Sequence, residues 1–203
     1  MDGLKGGGLM RKAEIQRKTN ETDIRLELSL DGEGALNGLT HIGFFDHMLH
    51  SFVRIGLFDL KLEVTGDTHI DDHHTVEDVG IVLGQGIRKA IGDKKGIQRY
   101  GSTILPMDEV LVLVAVDLGG RPYFSFDVDL PFGKVGSFDT ELVEEFFKSV
   151  AFNAQMNLHM KVLSGSNVHH IIEALFKAFG KALDQATQKD ERIKHVMSTK
   201  GVI

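Results

Sequence analysis

Three observations predict an α+β fold built from two similar halves for this 203-residue chain. The string HHxxE occurs twice, as His73-His74-Thr75-Val76-Glu77 and His169-His170-Ile171-Ile172-Glu173, about a hundred residues apart. Each copy opens a stretch with helical spacing. Ahead of each copy runs the same succession of segments, so that each half reads strand, strand, helix, strand, helix. Such a pattern lays helices on one face of each sheet.

The elements follow in order. Arg11 to Arg17 and Asp23 to Leu30 alternate or run apolar, as two strands do, and a glycine-rich turn region spans Asp31 to Gly38. Phe44 to Ile55 has Phe45, Met48, Leu49, Phe52 and Val53 at helical spacing. Leu57 to Thr65 alternates as a strand, and Thr75 to Ala90 continues the first motif as a helix. The break between halves falls near Asp93 to Ser102. Glu109 to Asp117 and Pro122 to Leu130 then read as strands. Thr140 to Ala154 is a helix with a stripe of Leu142, Val143, Phe146, Phe147 and Val150. Asn157 to Leu163 alternates, and Ile171 to Ala186 is the second motif helix. The expected division is a flexible leader over 1–9, a first half over 10–95, and a second half over 96–203 that ends in a substrate-binding tail. The glycine tract Gly6-Gly7-Gly8 sets the leader apart, and Met10 is a candidate start. Helices on one face leave the other sheet face open, to be covered by the other half or another subunit.

Composition narrows the function. With 42% hydrophobic and 26% charged residues, the chain is an ordinary globular protein. A net charge of -6 offers no basic footprint for nucleic acid. There is no apolar run of membrane-spanning length and no signal-peptide pattern. The lack of cysteine excludes disulfide and thiolate chemistry and fits a cytoplasmic home. Ten histidines without cysteine point to nitrogen and oxygen metal ligation.

Two imidazoles with a carboxylate three and four residues on form a ligand set for borderline-to-hard divalent ions. On a helix, Glu77 shares a face with His73 and His74, but the two adjacent rings point roughly 100° apart. One ion cannot easily take both, so two ions are expected, with each helix giving one imidazole to each. A second tier comes from the repeat. His47 lies 26 residues before His73, and Glu145 lies 24 before His169. The candidate ligands are therefore His47, His73, His74, Glu77, Glu145, His169, His170 and Glu173. Four per ion leave open positions on an octahedral metal, as a catalytic site needs. Asp46 is placed to support His47. His159 lies in a strand with no assigned role; His41, His50, His69 and His195 match no constellation.

Arg99 and Arg121 lie beside glycine turns, Lys177 lies one helical turn beyond Glu173, and Ser198-Thr199-Lys200-Gly201 joins hydroxyls to a cation. With a metal site they indicate a phosphorylated ligand. No P-loop or dinucleotide fingerprint is present.

The segments Arg17-Lys18-Thr19-Asn20-Glu21-Thr22, Gly43-Phe44-Phe45-Asp46-His47-Met48-Leu49, Asp72-His73-His74-Thr75-Val76-Glu77-Asp78, Pro106-Met107-Asp108-Glu109, Gly120-Arg121-Pro122-Tyr123, His169-His170-Ile171-Ile172-Glu173-Ala174 and Ser198-Thr199-Lys200-Gly201 together resemble the imidazoleglycerol-phosphate dehydratase family. The resemblance runs from about Met10 to the C-terminal end. It implies a duplicated fold like the second domain of ribosomal protein S5, two Mn(II) ions per active site, and a 24-subunit shell with sites where subunits meet. It also implies dehydration of imidazole glycerol phosphate to imidazole acetol phosphate, with no nucleic acid or membrane partner. Two positions depart from the family: Glu145 and Ile55 stand where members carry histidine often and commonly, respectively.

The chemistry explains these residues. The proton to be lost, taken as that on the ring-bearing carbon, is not acidic, and hydroxide leaves poorly. Metal on the ring nitrogens stabilises an imidazolate, and ring electrons expel the hydroxyl through a diazafulvene-like intermediate. The resemblance makes Glu21 the first candidate for the general acid–base group, with Asp108 and Glu173 behind it. Arg99, Arg121, Lys177, Ser198 and Lys200 are expected to hold the phosphate. The competing readings are a non-catalytic metal-binding assembly and a dinuclear phosphohydrolase. The latter needs bridging carboxylates, which this histidine-dominated set disfavours.

Overall fold

The structure, a computed structural model, describes residues 11–203, so the expected leader over 1–9 lies outside the described residues. Strands β1 (Lys12–Lys18), β2 (Thr22–Ser29) and β3 (Leu36–Asn37) precede helix α1 (Gly43–Gly56), strand β4 (Asp59–Gly66) and helix α2 (His73–Ile91). Strands β5 (Tyr100–Met107), β6 (Val110–Asp117) and β7 (Tyr123–Asp127) follow. After a short ribbon, β8 (Lys134–Val135) with β9 (Phe138–Asp139), come α3 (Leu142–Ala154), β10 (Asn157–Ser164) and α4 (Val168–Thr187).

The duplication is exact in topology. The first sheet has the order β1-β2-β4-β3 and the second β5-β6-β10-β7. In each, the first three strands pair antiparallel and the last joins parallel to its neighbour. Leaving aside the β8–β9 ribbon, the sheet of each half thus carries one strand more than the expected strand-strand-helix-strand-helix pattern. In the first half it is β3, two residues inside the glycine-rich turn region. In the second half it is β5, which falls across the expected break. Pro106 in β5 weakens the strand signal, because proline cannot donate to a ladder. The position tolerates it because β5 is an edge strand.

The helices lie between the two sheets. Helix α2 packs on β1 and β2, α4 packs on β5 and β6, and the halves interlock through α2 on α3 and α1 on α4. Strand alternation supplies the inner faces, with Ile24, Leu26, Leu62, Val112, Val114 and Leu158 all buried. The outer face of the first sheet is charged. It carries ion pairs between Arg25 and Glu14 at 2.7 Å and between Lys61 and Glu27 at 3.0 Å. Phe45, Phe52, Phe146, Phe147, Phe176 and Phe179 join the two helix pairs at the centre. Each such ring, once buried, contributes about 1.5–3 kcal/mol.

Glycines set how closely the helices cross. A Cβ on Gly84 of α2 would lie 2.6 Å from the Val150 carbonyl of α3, and one on Gly180 of α4 would lie 2.4 Å from the Phe52 carbonyl of α1. Gly84 and Gly180 each stand eleven residues past the first histidine of their motif, and Phe52 and Val150 each stand five past His47 and Glu145. The two crossings are therefore one design used twice.

Gly180→Ala is expected to destabilise the protein in urea unfolding by about 1–3 kcal/mol through overpacking, despite the roughly 1 kcal/mol that alanine gains over glycine in a helix. Gly133, with nothing within 4 Å of its Cβ position, is the control, and Gly133→Ala should stay within about 0.5 kcal/mol of wild type. Equal stability of all three proteins would contradict the close crossing.

Candidate active site

Helix α1 starts where the Asp46 carboxylate accepts from the Thr40 amide at 2.6 Å and from its hydroxyl at 2.7 Å, which places His47 at the start of the second turn. Helix α4 starts at Asn167, whose side chain accepts from the His170 amide at 3.2 Å. His169 and His170 thus fall in the first turn. The α1–α4 crossing then brings His47 against the second motif. His47, His169 and Glu173 form a group of potential ligand atoms all within 4.8 Å of one another.

Glu173 organises this group. Its Oε2 lies 3.2 Å from His169 Nε2 and 3.5 Å from His47 Nε2, while its Oε1 receives the Lys177 ammonium at 2.7 Å. Burial opposes ionisation of Glu173, but Lys177 and His47 outweigh it and hold the carboxyl below its usual range. Phe44 sets its edge against His169, with ring centroids 5.1 Å apart. Two imidazole nitrogens and an ionised carboxylate oxygen suit a borderline-to-hard divalent cation such as Mn(II).

The repeat-related trio is Glu145, His73 and Glu77, on the α3–α2 pair. Among the described residues the structure does not gather it into such a group. Glu145 instead takes Lys148 at 3.4 Å. Its half-buried side chain, beside exposed Glu144, still faces inward.

The second histidine of each motif turns away from its crossing. The ring planes stand at 81° for His73 and His74 and at 85° for His169 and His170, so the two motifs share one internal geometry. His74 Nδ1 lies 2.9 Å from Asp67 Oδ2, and His170 Nδ1 lies 3.0 Å from Glu109 Oε2. These carboxylates raise the pKa of both rings, chiefly through those hydrogen bonds. A neutral ring donates through Nδ1 and leaves Nε2 as the free donor atom, the usual arrangement of a histidine that ligates metal. Opposite His74 Nε2 stands Glu21, at 3.8 Å, in the β1–β2 turn. Opposite His170 Nε2 stands Asp108, also at 3.8 Å, in the β5–β6 turn. Asp108 has a positive φ of 50°, so the tight turn itself aims the side chain.

Asp67 and Glu109 carry no individual signal in the sequence for these contacts. Asp67 lies outside the HHxxE string, in the turn after β4, and only folding brings it to His74. Glu109 is drawn into position by hydrogen bonds from His170 and from the Asn167 amide, at 3.1 Å.

Arg99, Arg121, Ser198 and Lys200 meet in a cleft of about 730 Å³ with Gly119 and Gly120. Arg99 is held by Asp117 at 2.6 and 3.0 Å and by the Met197 carbonyl at 2.7 Å, with its guanidinium over the Tyr100 ring. This fixes a planar donor fork suited to phosphate. Lys177 is not among the residues lining this cleft; within one chain it stays with Glu173. His159 lies against Tyr123 on the second sheet, with ring centroids 5.3 Å apart.

The two sites occupy opposite ends of α4. Arg99 donates its amide to the Ala186 carbonyl near the C-terminal end of the helix. Thirteen residues separate Ala186 from Glu173, roughly 20 Å of helix at 1.5 Å per residue.

The family model for imidazoleglycerol-phosphate dehydratase matches residues 40–183. The chain is 63% identical to the imidazoleglycerol-phosphate dehydratase of Acetivibrio thermocellus, over 95% of this chain and 99% of that protein. It is 58% identical to that of Desulforamulus reducens, over 96% and 100%. Among solved structures, the Staphylococcus aureus enzyme of that name superposes with a TM-score of 0.80 at 44% identity, covering 88% of this chain and 99% of that one. The Pyrococcus furiosus enzyme matches with a TM-score of 0.80 at 38% identity, over 93% and 100%.

In metal-free protein, Glu109→Gln should lower the His170 pKa towards the ordinary histidine value, read from its ring proton shifts by NMR. The folded-state value is raised, so the pair's contribution to stability is complete below about pH 6.5 and disappears as pH rises through the folded value. Metal uptake, which needs neutral imidazole, should strengthen over the same rise. An unchanged His170 titration in the variant would contradict the assigned hydrogen bond.

Proposed function

The chain belongs to the imidazoleglycerol-phosphate dehydratase family of hydro-lyases in histidine biosynthesis, and from that premise we propose a metal-dependent dehydration of imidazole glycerol phosphate to imidazole acetol phosphate, at sites completed between copies of the chain. What carries the metal dependence is the convergence of His47, His169 and Glu173 from two different helices. The reading is two Mn(II) ions per site. One is held by that trio and the other by its repeat-related counterpart, Glu145, His73 and Glu77. His74 and His170, with Nε2 turned away from the crossings, supply the remaining nitrogens from a neighbouring copy.

Assembly is supported by distance. The substrate carries its imidazole ring and its phosphate a few bonds apart, whereas the metal-type ligands and the anion cleft of one chain lie at opposite ends of α4. A second copy must bring one to the other. The 24-subunit shell belongs to this reading through the family resemblance, as does a cytoplasmic home through the pathway.

When bound to the ring nitrogens, the metal supplies Lewis-acid stabilisation of the negative charge that develops on the imidazole. The protein does the rest. Ring electrons reach only a hydroxyl on the ring-bearing carbon, so the proton comes off the next carbon and not off the ring-bearing one. Glu21 is the group that moves it; its carboxylate stands half-exposed on a turn aimed at His74. Asp108, similarly placed but more exposed, and Glu173, engaged with Lys177, are lesser candidates. Arg99, Arg121, Ser198 and Lys200 hold the phosphate and thereby fix the reacting carbons. Lys177, beside the metal ligands of its own chain, is placed to meet a phosphate delivered by the neighbouring copy's cleft.

Metal-stripped protein should not turn over imidazole glycerol phosphate, and titrating Mn(II) back should restore turnover together with a large closed particle. Full metal uptake and assembly without turnover would favour a non-catalytic metal-binding assembly. Glu21→Gln should lose about 10²–10⁴-fold in kcat with its Mn(II) content unchanged.

A further inference from the structure

The two duplicated hairpin turns are anchored differently, and the difference falls on Asp78. In the second half, Glu109 both occupies the β5–β6 turn and ties it to α4, through the Asn167 amide at 3.1 Å and His170 Nδ1 at 3.0 Å. In the first half Glu21 has no such task. Its side chain is 53% exposed and lies 3.8 Å from His74 Nε2. The β1–β2 turn is tied down by another carboxylate, Asp78 of α2, directly after Glu77. Asp78 is only 6% exposed. Its Oδ2 accepts from the buried Thr22 hydroxyl at 2.5 Å, and its Oδ1 accepts from Arg17 Nε at 2.8 Å. Thr22 follows Glu21 immediately, and Arg17 lies four residues before it. The turn is therefore pinned on both sides of Glu21 to the helix that carries His73, His74 and Glu77. The equivalent position in α4 is Ala174, which cannot clamp the second turn in this way.

An ion pair of this kind, with Asp78 buried and Arg17 partly exposed, contributes little net stability over an apolar replacement. Its geometric effect is specific: it holds one carboxylate-bearing turn against one histidine. We propose that Asp78 is a positioning residue that acts through Thr22 and Arg17 to set the Glu21 carboxylate against His74, leaving Glu21 free for proton transfer. This rests on the reading of Glu21 given above.

The test is a kinetic cycle on the Mn(II)-loaded assembly, with melting temperature and metal content measured on each variant. Asp78→Asn and Thr22→Val should each lower kcat about a hundredfold, the cost of roughly 1 Å of misplacement, while KM and metal content stay near wild type. Thr22→Ser, which keeps the hydroxyl, should recover most of what Thr22→Val loses. The double variant Glu21→Gln/Asp78→Asn should be no slower than Glu21→Gln alone, because Asp78 acts through the group already removed. A lowered melting temperature with unchanged kcat in Asp78→Asn, or a further loss of kcat on top of Glu21→Gln, overturns the proposal while the Glu21 reading stands. Normal turnover by Glu21→Gln itself removes Glu21 from proton transfer, and the positioning role of Asp78 with it. Should Asp78→Asn fail to fold, the Thr22→Val and Thr22→Ser pair decides: equal kcat in those two overturns the proposal.

Discussion

The close crossing of α1 on α4, and of α2 on α3, is the constraint from which the site follows. Neither helix pair belongs to one half. Each half lends its first helix to the motif helix of the other, and a glycine at each crossing lets backbone approach backbone. His47 can meet Glu173 only because of this exchange. A bulkier residue at Gly180 would push α1 outward and open the His47–Glu173 contact along with the core. The packing of the core and the geometry of the metal-type ligands are thus one problem with one solution.

The duplication supplies two equivalent frames, and the sequence then fills them unequally. One crossing carries two imidazoles and a carboxylate that converge; the other carries Glu145, which has Lys148 for a neighbour. One hairpin turn spends its glutamate on anchoring; the other is anchored by Asp78 and keeps its glutamate free. Each inequality has an electrostatic reason. A carboxylate near several donors is drawn to the strongest, and what remains unengaged is what can do chemistry.

Charge is balanced differently at the two ends of α4. At the N-terminal end, Lys177 neutralises Glu173 on one oxygen and leaves the other to the histidines. At the C-terminal end, Asp117 orients Arg99, while Arg121 and Lys200 keep the cleft cationic. Burial and the neighbouring Arg88 also lower the pKa of Lys94 beside that cleft. The cationic end suits an anion and the histidine–carboxylate end a divalent cation, and the proposed substrate presents both a phosphate and an imidazole.

The sequence by itself determined the α+β class, the duplication and most elements, because helical and strand periodicities are local properties and survive in the text of the chain. HHxxE, repeated in register, also pointed to His47, which the structure brings to His169 and Glu173, and by the same spacing to Glu145, which lies beside Lys148. Legibility ended where the reason was not local. β5 was hidden because Pro106 contradicts a strand and only its edge position excuses it. Asp67, Asp78 and Glu109 acquire roles only through partners brought to them by folding. The open face of the first sheet carries ion pairs, while that of the second leaves Ile104, Tyr123 and Leu163 exposed, a difference that strand alternation alone does not record. Above all, the tertiary structure decided that Glu173 gathers His47 and His169 while the phosphate-type cations collect some 20 Å of helix away, because the direction of α4 through the core is set by packing against α1 and the second sheet, and no periodicity in the chain records it.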